Sequence, residues 1–576
     1  MKKIIYILTV VILGMIMVSS CSDFLDENPK SVNTKETYYT DWSSLQAGIV
    51  GMYQGIINLY VINTNTPIFL SMIGTDELCY RAVNTNVRSV IDRYTYTSTE
   101  GCIGELWARY YAIIGRTNVI IAVAESMSDL TEAQRNQALS EAKFLRAWSY
   151  FQLVQFFGDL PLILEETTEF DYTKSRSPIK NVYKAIIEDL EFAVKPGVLK
   201  TEITDGHANH WAAKTLLGKI YLTMASYKES AKVPGYAQLD ESVQNLYQKA
   251  YDILLDIKDN SGRDLMPVYS DLFEVANKNT NIESIWEIQF SAEEPYGTQW
   301  AKEMGLTHAG YSQTSGGWRY CPIGGSFNLN AVPSFRGYYK SWQYDVRKDW
   351  NITDSLIRYN ATTGVPTRMD YLFDISGIKL AGDVAPYDTV KILTRDNNST
   401  LVQRTSATKY RWGGSWQTDY PIKYIYSNCP NNIIVFRFAD VLLMFTEADM
   451  KLNGGTATTE GLKAINRVVQ RARGLDSNGI PVPESATPGF EDYTASTLTF
   501  EELMKERARE LCFEFWRRHD LARTGMFEHF MTSRNATSNI KTFFDPDKSY
   551  LLPIPQYEID NSLNKEGMYQ NPGYID

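Results

Sequence analysis

The segment from Glu141 to Phe157 sets the strongest limit on how this 576-residue chain can fold. Leu145, Trp148, Phe151, Gln152 and Gln155 recur three or four residues apart, the spacing of one helical face. Phe144, Val154 and Phe156 widen the apolar side beyond a single stripe, so the pattern predicts a helix buried on most of its surface. Such a helix is stable only when other elements surround it. Gly158-Asp159 followed by Pro161 supplies its stop, a glycine exit and then a residue that cannot continue the helix. The same periodicity predicts helices over His207–Tyr227 and Gln244–Ile257, and the chain from Pro29 to about residue 258 reads as mainly helical.

These helices carry signs of repetition. Leu217-Gly218-x-x-Tyr221 matches the core of a tetratricopeptide first helix, and Ala250 with Leu254 matches part of the second. The stretch Lys228 to Gln248 breaks the period between them. A similar helical pair is predicted late, over Val435–Leu452 and Gly461–Ala472. The fold class expected is therefore mainly α, a tetratricopeptide-like helical repeat scaffold with an irregular, loop-rich portion packed on it. That portion spans about 259 to 432, where helical periodicity fades and Gly, Asn, Thr, Trp and Tyr increase; Ser284–Phe290 is its clearest β-like piece. Helices return from Val435 to about Phe527, and the tail reads as extended.

The first residues have the layout of an export signal: Lys2 and Lys3, an uncharged apolar run from Ile4 to Val18, then small residues. The run is shorter than the ~20 residues that span a bilayer. Val18-Ser19-Ser20-Cys21 resembles a relaxed bacterial lipobox, which predicts lipidation at Cys21. The expected organisation is a leader over 1–20, an N-terminal helical region over 21–258 and a C-terminal region over 259–576. The formal net charge of -11 argues against a nucleic-acid partner, which needs a concentrated basic face. The cysteines beyond Cys21 are widely spaced without a CxxC pair, so neither a disulfide framework nor a zinc site is expected.

No constellation for catalysis stands out. The chain lacks a GxSxG elbow, a phosphate loop ending in GK[ST] and an HExxH motif. Glycosidases need two carboxylates roughly 5–10 Å apart, and 68 acidic residues offer no way to single out such a pair. His207 and His210 have metal-ligand spacing, yet they fall at a helix start and lack a third ligand, so they are read as structural. No enzymatic activity, cofactor or metal is expected.

Aromatic residues make up 13% of the chain, and two irregular stretches concentrate them beside polar partners. Gly74 to Gly101 holds Asp76, Tyr80, Arg81, Tyr94 and Tyr96; Tyr296 to Phe327 holds Trp300, Tyr311, Trp318, Arg319 and Tyr320. A flat ring beside Asp or Arg suits a ligand with an apolar face and a hydroxyl rim, as a sugar has. These ten residues are the candidate ligand-binding set. Tyr410 to Tyr424, with Trp412 and Trp416, is a weaker third stretch.

Six short motifs, in order, give the chain a family resemblance. They are Phe24-Leu25-Asp26 with Pro29; Trp107-x-x-Tyr110-Tyr111 with Ile114, Arg116 and Asn118; Glu141 to Ala147 running to Phe157-Gly158-Asp159-Leu160-Pro161-Leu162; Arg437 to Met444 with Glu447-Ala448; Glu506 to Glu514 with Arg517, Asp520-Leu521 and Arg523; and Leu552-Pro553-Ile554-Pro555 with Asn571-Pro572-Gly573-Tyr574. Together they resemble the SusD/RagB family of outer-membrane nutrient-binding lipoproteins. Two departures fall on the late charged segment: Phe515 stands where the family usually has Gly, and Cys512 where it usually has Ala. Both are expected to be volume changes on a packed helix. Glu510, Glu514, Arg517 and Arg518 are expected to form ion pairs within and between helices rather than a site.

The resemblance implies a surface lipoprotein that binds glycans through loops in these aromatic stretches and passes them to a TonB-dependent SusC-like transporter. The acidic Ser22-Asp23 and Asp26-Glu27 that follow Cys21 resemble the tag that sends some lipoproteins of Bacteroidetes-type bacteria to the outer face of the outer membrane. Two alternatives stay open, a receptor for peptides or glycoproteins and a surface glycosidase.

Overall fold

The computed structural model describes residues 35–60, 67–80, 83–167, 171–201, 206–291, 297, 318–320, 329–341, 343–353, 355–360, 366–374, 377–380, 406–407, 430–537 and 541–574. Its longer helices are α1 (Trp42–Tyr60), α2 (Gly101–Ser126), α3 (Glu132–Phe157), α4 (Ile179–Ala193), α5 (His210–Ser230), α6 (Val243–Asn260), α7 (Phe438–Leu452), α8 (Thr459–Ala472) and α9 (Phe500–Leu511).

Helix α3 is the buried helix that the sequence predicts, and every residue from Phe144 to Phe157 lies in the core. It starts at Glu132 rather than Glu141 because Thr131 and Gln134 form a reciprocal capping box ahead of a polar first stretch. Burial extends to Arg146, whose guanidinium is 2.7 and 2.8 Å from the two carboxylate oxygens of Asp189 on α4 and 2.8 Å from Asn118 on α2. One side chain thus ties three helices together, and its charge is matched where water cannot reach it.

From α1 to α8, each helix packs on the next. The succession continues from α6 to α7 although the irregular portion lies between them in sequence. A buried ion pair reinforces this closure, Lys219 of α5 reaching Asp440 of α7 at 2.8 Å. This is the helical-repeat scaffold expected, with the loop-rich portion inserted between two consecutive members of the array.

Among the described residues the strands mostly serve the insertion. They are β1 (Leu78–Tyr80), β2 (Leu160–Pro161), β3 (Arg176–Ser177), β4 (Ser284–Ile288), β5 (Trp318–Tyr320), β6 (Leu329–Ala331), β7 (Ile352–Thr353), β8 (Ser355–Asn360), β9 (Pro366–Asp374), β10 (Gly377–Leu380), β11 (Ser406–Ala407) and β12 (Ile433–Arg437). They form two four-stranded sheets, ordered β1-β6-β11-β7 and β10-β9-β8-β5, and two strand pairs, β12 with β4 and β2 with β3. The β-like reading of Ser284–Phe290 holds over β4. The helix expected from Val435 begins only at Phe438, because Ile433–Arg437 pairs with β4 as an antiparallel strand. Its apolar run suits either structure, and only the distant partner decides. The tail expected to be extended contains two helices among the described residues, Phe527–Thr537 and Gln556–Asn561.

The late charged segment also differs from expectation. Helix α9 stops at Leu511, and a second helix runs from Arg517 to Arg523. Between them Phe513 and Phe515 have φ of 62° and 69°, the left-handed region. Phe515 therefore does not sit on a helix, and Cys512 is the residue that ends one. A family glycine at the Phe515 position is explained by backbone conformation and not by volume. Phe515 holds that conformation while its ring packs edge-on against Tyr60, centroids 5.2 Å apart.

Ala231 offers a simple check on backbone strain. It caps α5 with φ 53°, is exposed, and its N–H donates to the Tyr227 carbonyl. Ala231→Gly is expected to raise stability by about 0.5–1 kcal/mol, the left-handed cost of a Cβ less the added freedom of the unfolded glycine. The urea-unfolding midpoint would rise; an unchanged or lower midpoint contradicts the cap.

Among the described residues no helix is long and apolar enough to cross a membrane. Cys21 and the leader lie outside the described residues.

Candidate functional site

The pairing of β1, β6 and β11 brings together three chain segments far apart in sequence. β1 and β6 are antiparallel with Tyr80 opposite Leu329, and β11 is antiparallel to β6 with Ser406 opposite Asn330. The chain therefore leaves β1 after Tyr80, enters β6 at Leu329 and leaves β11 after Ala407 at one and the same end of the sheet. Arg81 follows the first of these points, the Tyr296–Phe327 stretch precedes the second, and Tyr410–Tyr424 follows the third. All three aromatic stretches singled out in the sequence are thus anchored at one sheet end.

The individual candidates fare differently. Trp318, Arg319 and Tyr320 form β5 and pair with Asn360, Tyr359 and Arg358 of β8. Arg81, Trp300 and Tyr311 lie outside the described residues, as do Trp412 and Trp416.

Asp76, Tyr80, Tyr94 and Tyr96 are corrected: the structure buries all four, at 0, 4, 3 and 5% exposure. Both carboxylate oxygens of Asp76 are taken by Arg517, at 2.8 and 2.5 Å, and Tyr338 donates to it at 2.8 Å. The Tyr94 hydroxyl donates to the Gly74 carbonyl at 2.8 Å, and burial pushes its pKa above the ordinary phenol range. Tyr96 stacks on Tyr574. The segment lacks periodicity because it is an inner turn held by long-range partners, not because it is a surface loop. Its longest exposed run is Val83 to Asn86, just beyond the end of β1. Asn84 accepts from the Asn86 N–H, and Asn86 caps the helix Val87–Arg93. A cap residue ahead of a periodic run was the available signal for that exposed turn.

The late charged segment takes part in a buried array of opposite charges. Arg437 reaches Glu514 at 2.9 Å, Glu283 at 2.7 Å and Glu510 at 2.5 Å. Arg347 reaches Asp345 at 2.7 Å, Glu506 at 2.6 Å and Glu510 at 3.0 Å. Burial opposes ionisation of Glu506, but Arg347 and Arg509 outweigh it and bring its pKa down to about 2. Glu510, Glu514 and Arg517 thus form ion pairs with other elements rather than along one helix, whereas Arg518 donates to the Tyr94 hydroxyl and the Ser549 carbonyl. Strong mutual neutralisation fits structural cement, since a working acid or base needs a pKa nearer neutrality.

Among the described residues no three His, Cys, Asp or Glu are placed to hold a metal. His210 opens α5, whereas His207 precedes it with Nδ1 2.6 Å from Glu141. The two do not share a helical face.

A helical-repeat scaffold with a loop-rich portion inserted between two of its helices is the class these features define. The family model of SusD matches residues 282–574, and a second, described as starch-binding associating with outer membrane, matches residues 23–222. The chain belongs to the SusD family. It is 26% identical over 583 residues to SusD-like protein P2 of Formosa agariphila, covering 100% of each chain. The solved structure of a SusD homolog from Bacteroides thetaiotaomicron superposes with a TM-score of 0.71 at 21% identity, over 94% of this chain and 98% of that one. A laminarin-binding SusD-like protein superposes with a TM-score of 0.64 at 23% identity, over 92% and 99%.

Proposed function

We propose that this protein is a non-enzymatic glycan-binding lipoprotein of the outer membrane that hands oligosaccharides to a TonB-dependent SusC-like transporter. The observation that supports the reading is that three chain segments meet one end of the β1-β6-β11 sheet: the exposed turn Val83 to Asn86 follows β1, the Tyr296–Phe327 stretch precedes β6 and the Tyr410–Tyr424 stretch follows β11. Aromatic rings in the last two stretches would offer flat apolar faces, and Asn and Arg beside them in sequence would offer partners for hydroxyls. Membership of a family with a laminarin-binding relative supports a carbohydrate as the ligand class. Cys21 would carry the lipid anchor, and the loops would face the cell exterior. Contact with the transporter rests on family membership alone.

The test is a glycan-panel binding assay on soluble protein starting after Cys21, with reducing-end detection in the same wells. Binding to one polysaccharide class without new ends is expected. New ends would make the protein a glycosidase, and no binding would favour a peptide ligand. In the Trp300→Ala, Trp318→Ala double variant, affinity for the glycan found is expected to fall about tenfold or more, from two lost ring contacts of about 1 kcal/mol each. Unchanged affinity would remove both rings from the site.

A further inference from the structure

A cavity of about 140 Å³ opens between α1 and β4, lined by none of the aromatic stretches considered so far. Ile56 and Ile57 of α1 form one wall, Trp286 and Ile288 of β4 another, and the Gly206–His207 turn with Gln289 the rim. Its surroundings are fixed. The Trp286 indole N–H donates to the Gly206 carbonyl at 3.1 Å, and its ring meets Phe144 and Trp148 edge-on. His207 is pinned by Glu141, whose Oε2 also accepts from the Tyr53 hydroxyl at 2.8 Å and whose Oε1 accepts from Gln137 at 3.1 Å. The Tyr53 hydroxyl in turn accepts the Ala208 N–H at 2.8 Å. Gly206 has φ +78°, and a Cβ there would lie 2.9 Å from Gln289 Cγ, so only glycine lets the turn close against Gln289.

We infer that this cavity is a second ligand site, for a small uncharged ring compound of the phenol class. An apolar cavity of roughly 150 Å³ accommodates one six-membered ring. The isoleucine and indole walls favour an apolar ring body, while the Gln289 amide at the rim suits a single hydroxyl. Among the described residues a charged ligand would find no matching group, because the Glu141 carboxylate is sealed by its three donors and Glu287 is held by Asn281 and Asn432. A pyranose would press most of its hydroxyls against Ile56, Ile57 and Ile288 without partners, at a cost of about 1–3 kcal/mol each. The site is therefore not a copy of the proposed glycan site.

The experiment is saturation-transfer NMR with millimolar phenol on the protein starting after Cys21. Transfer is expected from the native protein, with binding at least tenfold weaker in Ile57→Trp, which fills the cavity. Val50→Trp at the mouth is the second variant, because Val50 is 57% exposed and tolerates a larger side chain. Each variant's fold is verified by circular dichroism. No transfer from the native protein overturns the assignment, and so does full transfer in either folded variant. Glycan binding retained by the variants while phenol is lost would separate this site from the proposed surface site.

Discussion

Arg437→Met is expected to lower the unfolding free energy by about 3–5 kcal/mol, the cost of breaking a buried ion pair from one side. The guanidinium is 1% exposed and contacts Glu283, Glu510 and Glu514 at once. It also donates to the Glu510 carbonyl at 2.7 Å, so its loss loosens both strand β12 and the end of α9. Methionine fills much of the volume, but the carboxylates stay buried with less positive charge to balance them. Arg471 and Arg347 remain beside Glu510 and soften the loss, which keeps the estimate below the sum of three broken pairs. A control is Arg467→Met at the surface, where the partner Asp264 is 58% exposed and the expected change is under about 1 kcal/mol. Urea-unfolding midpoints of the two variants measured side by side decide the matter. Adding Glu514→Met to Arg437→Met should cost less than the two single changes summed, since it removes a charge that the first change strands. Equal midpoints for Arg437→Met and Arg467→Met would show that the buried array does not govern stability.

What the sequence could reveal depended on whether the deciding interactions are local. The buried circumference of α3 is legible because its apolar residues lie within one helix and need no knowledge of the partner. The Gly exit and following Pro are local for the same reason. Asp76 and Arg517 are 441 residues apart, and nothing within a window around Asp76 reveals that an arginine will bury it. A buried polar turn and an exposed binding loop share composition, so Tyr94 and Tyr96 read as surface rings although they are packed inside. Phe515 fails differently. Charged residues at helical spacing continue across Cys512, whereas the backbone turns left-handed at Phe513 and Phe515, and periodicity cannot register a change in the sign of φ. The candidate site was legible as a set of aromatic stretches. Their common anchorage at one sheet end was not, because strand pairing across hundreds of residues sets it.

On lowering the pH from 7 to 4, a His519→Leu variant is expected to gain about 3 kcal/mol of stability relative to the native protein. His519 is 2% exposed, its ring edge meets Phe156 at 4.6 Å between centroids, and Nε2 has no protein hydrogen-bond partner. Burial first, and then the neighbouring Arg518 charge, press its pKa down to about 3. An unfolded histidine takes up its proton near pH 6.5. Between these values the unfolded state binds more protons than the folded state, so stability is lost as pH falls, at up to about 1.4 kcal/mol per pH unit. Asp92 acts in the opposite direction, since burial, only partly countered by Arg534, lifts its pKa to about 6. The folded state there binds the proton first, and stability is gained as pH falls from 6 towards 3.8. Glu506, depressed to about 2, adds a loss only below 4.5. Considering these three groups, the native protein should change little down to about pH 4 and then fail steeply, because His519 and Asp92 nearly cancel. Leucine removes the His519 contribution and leaves the Asp92 gain, so the variant's midpoint should rise over the same range. At pH 7 the substitution should cost little, since no protein hydrogen bond is broken at Nε2 and the volume is similar. Urea unfolding at pH 7, 5.5 and 4 tests this directly: native and variant curves that run parallel would mean that the buried imidazole is not held neutral by the fold.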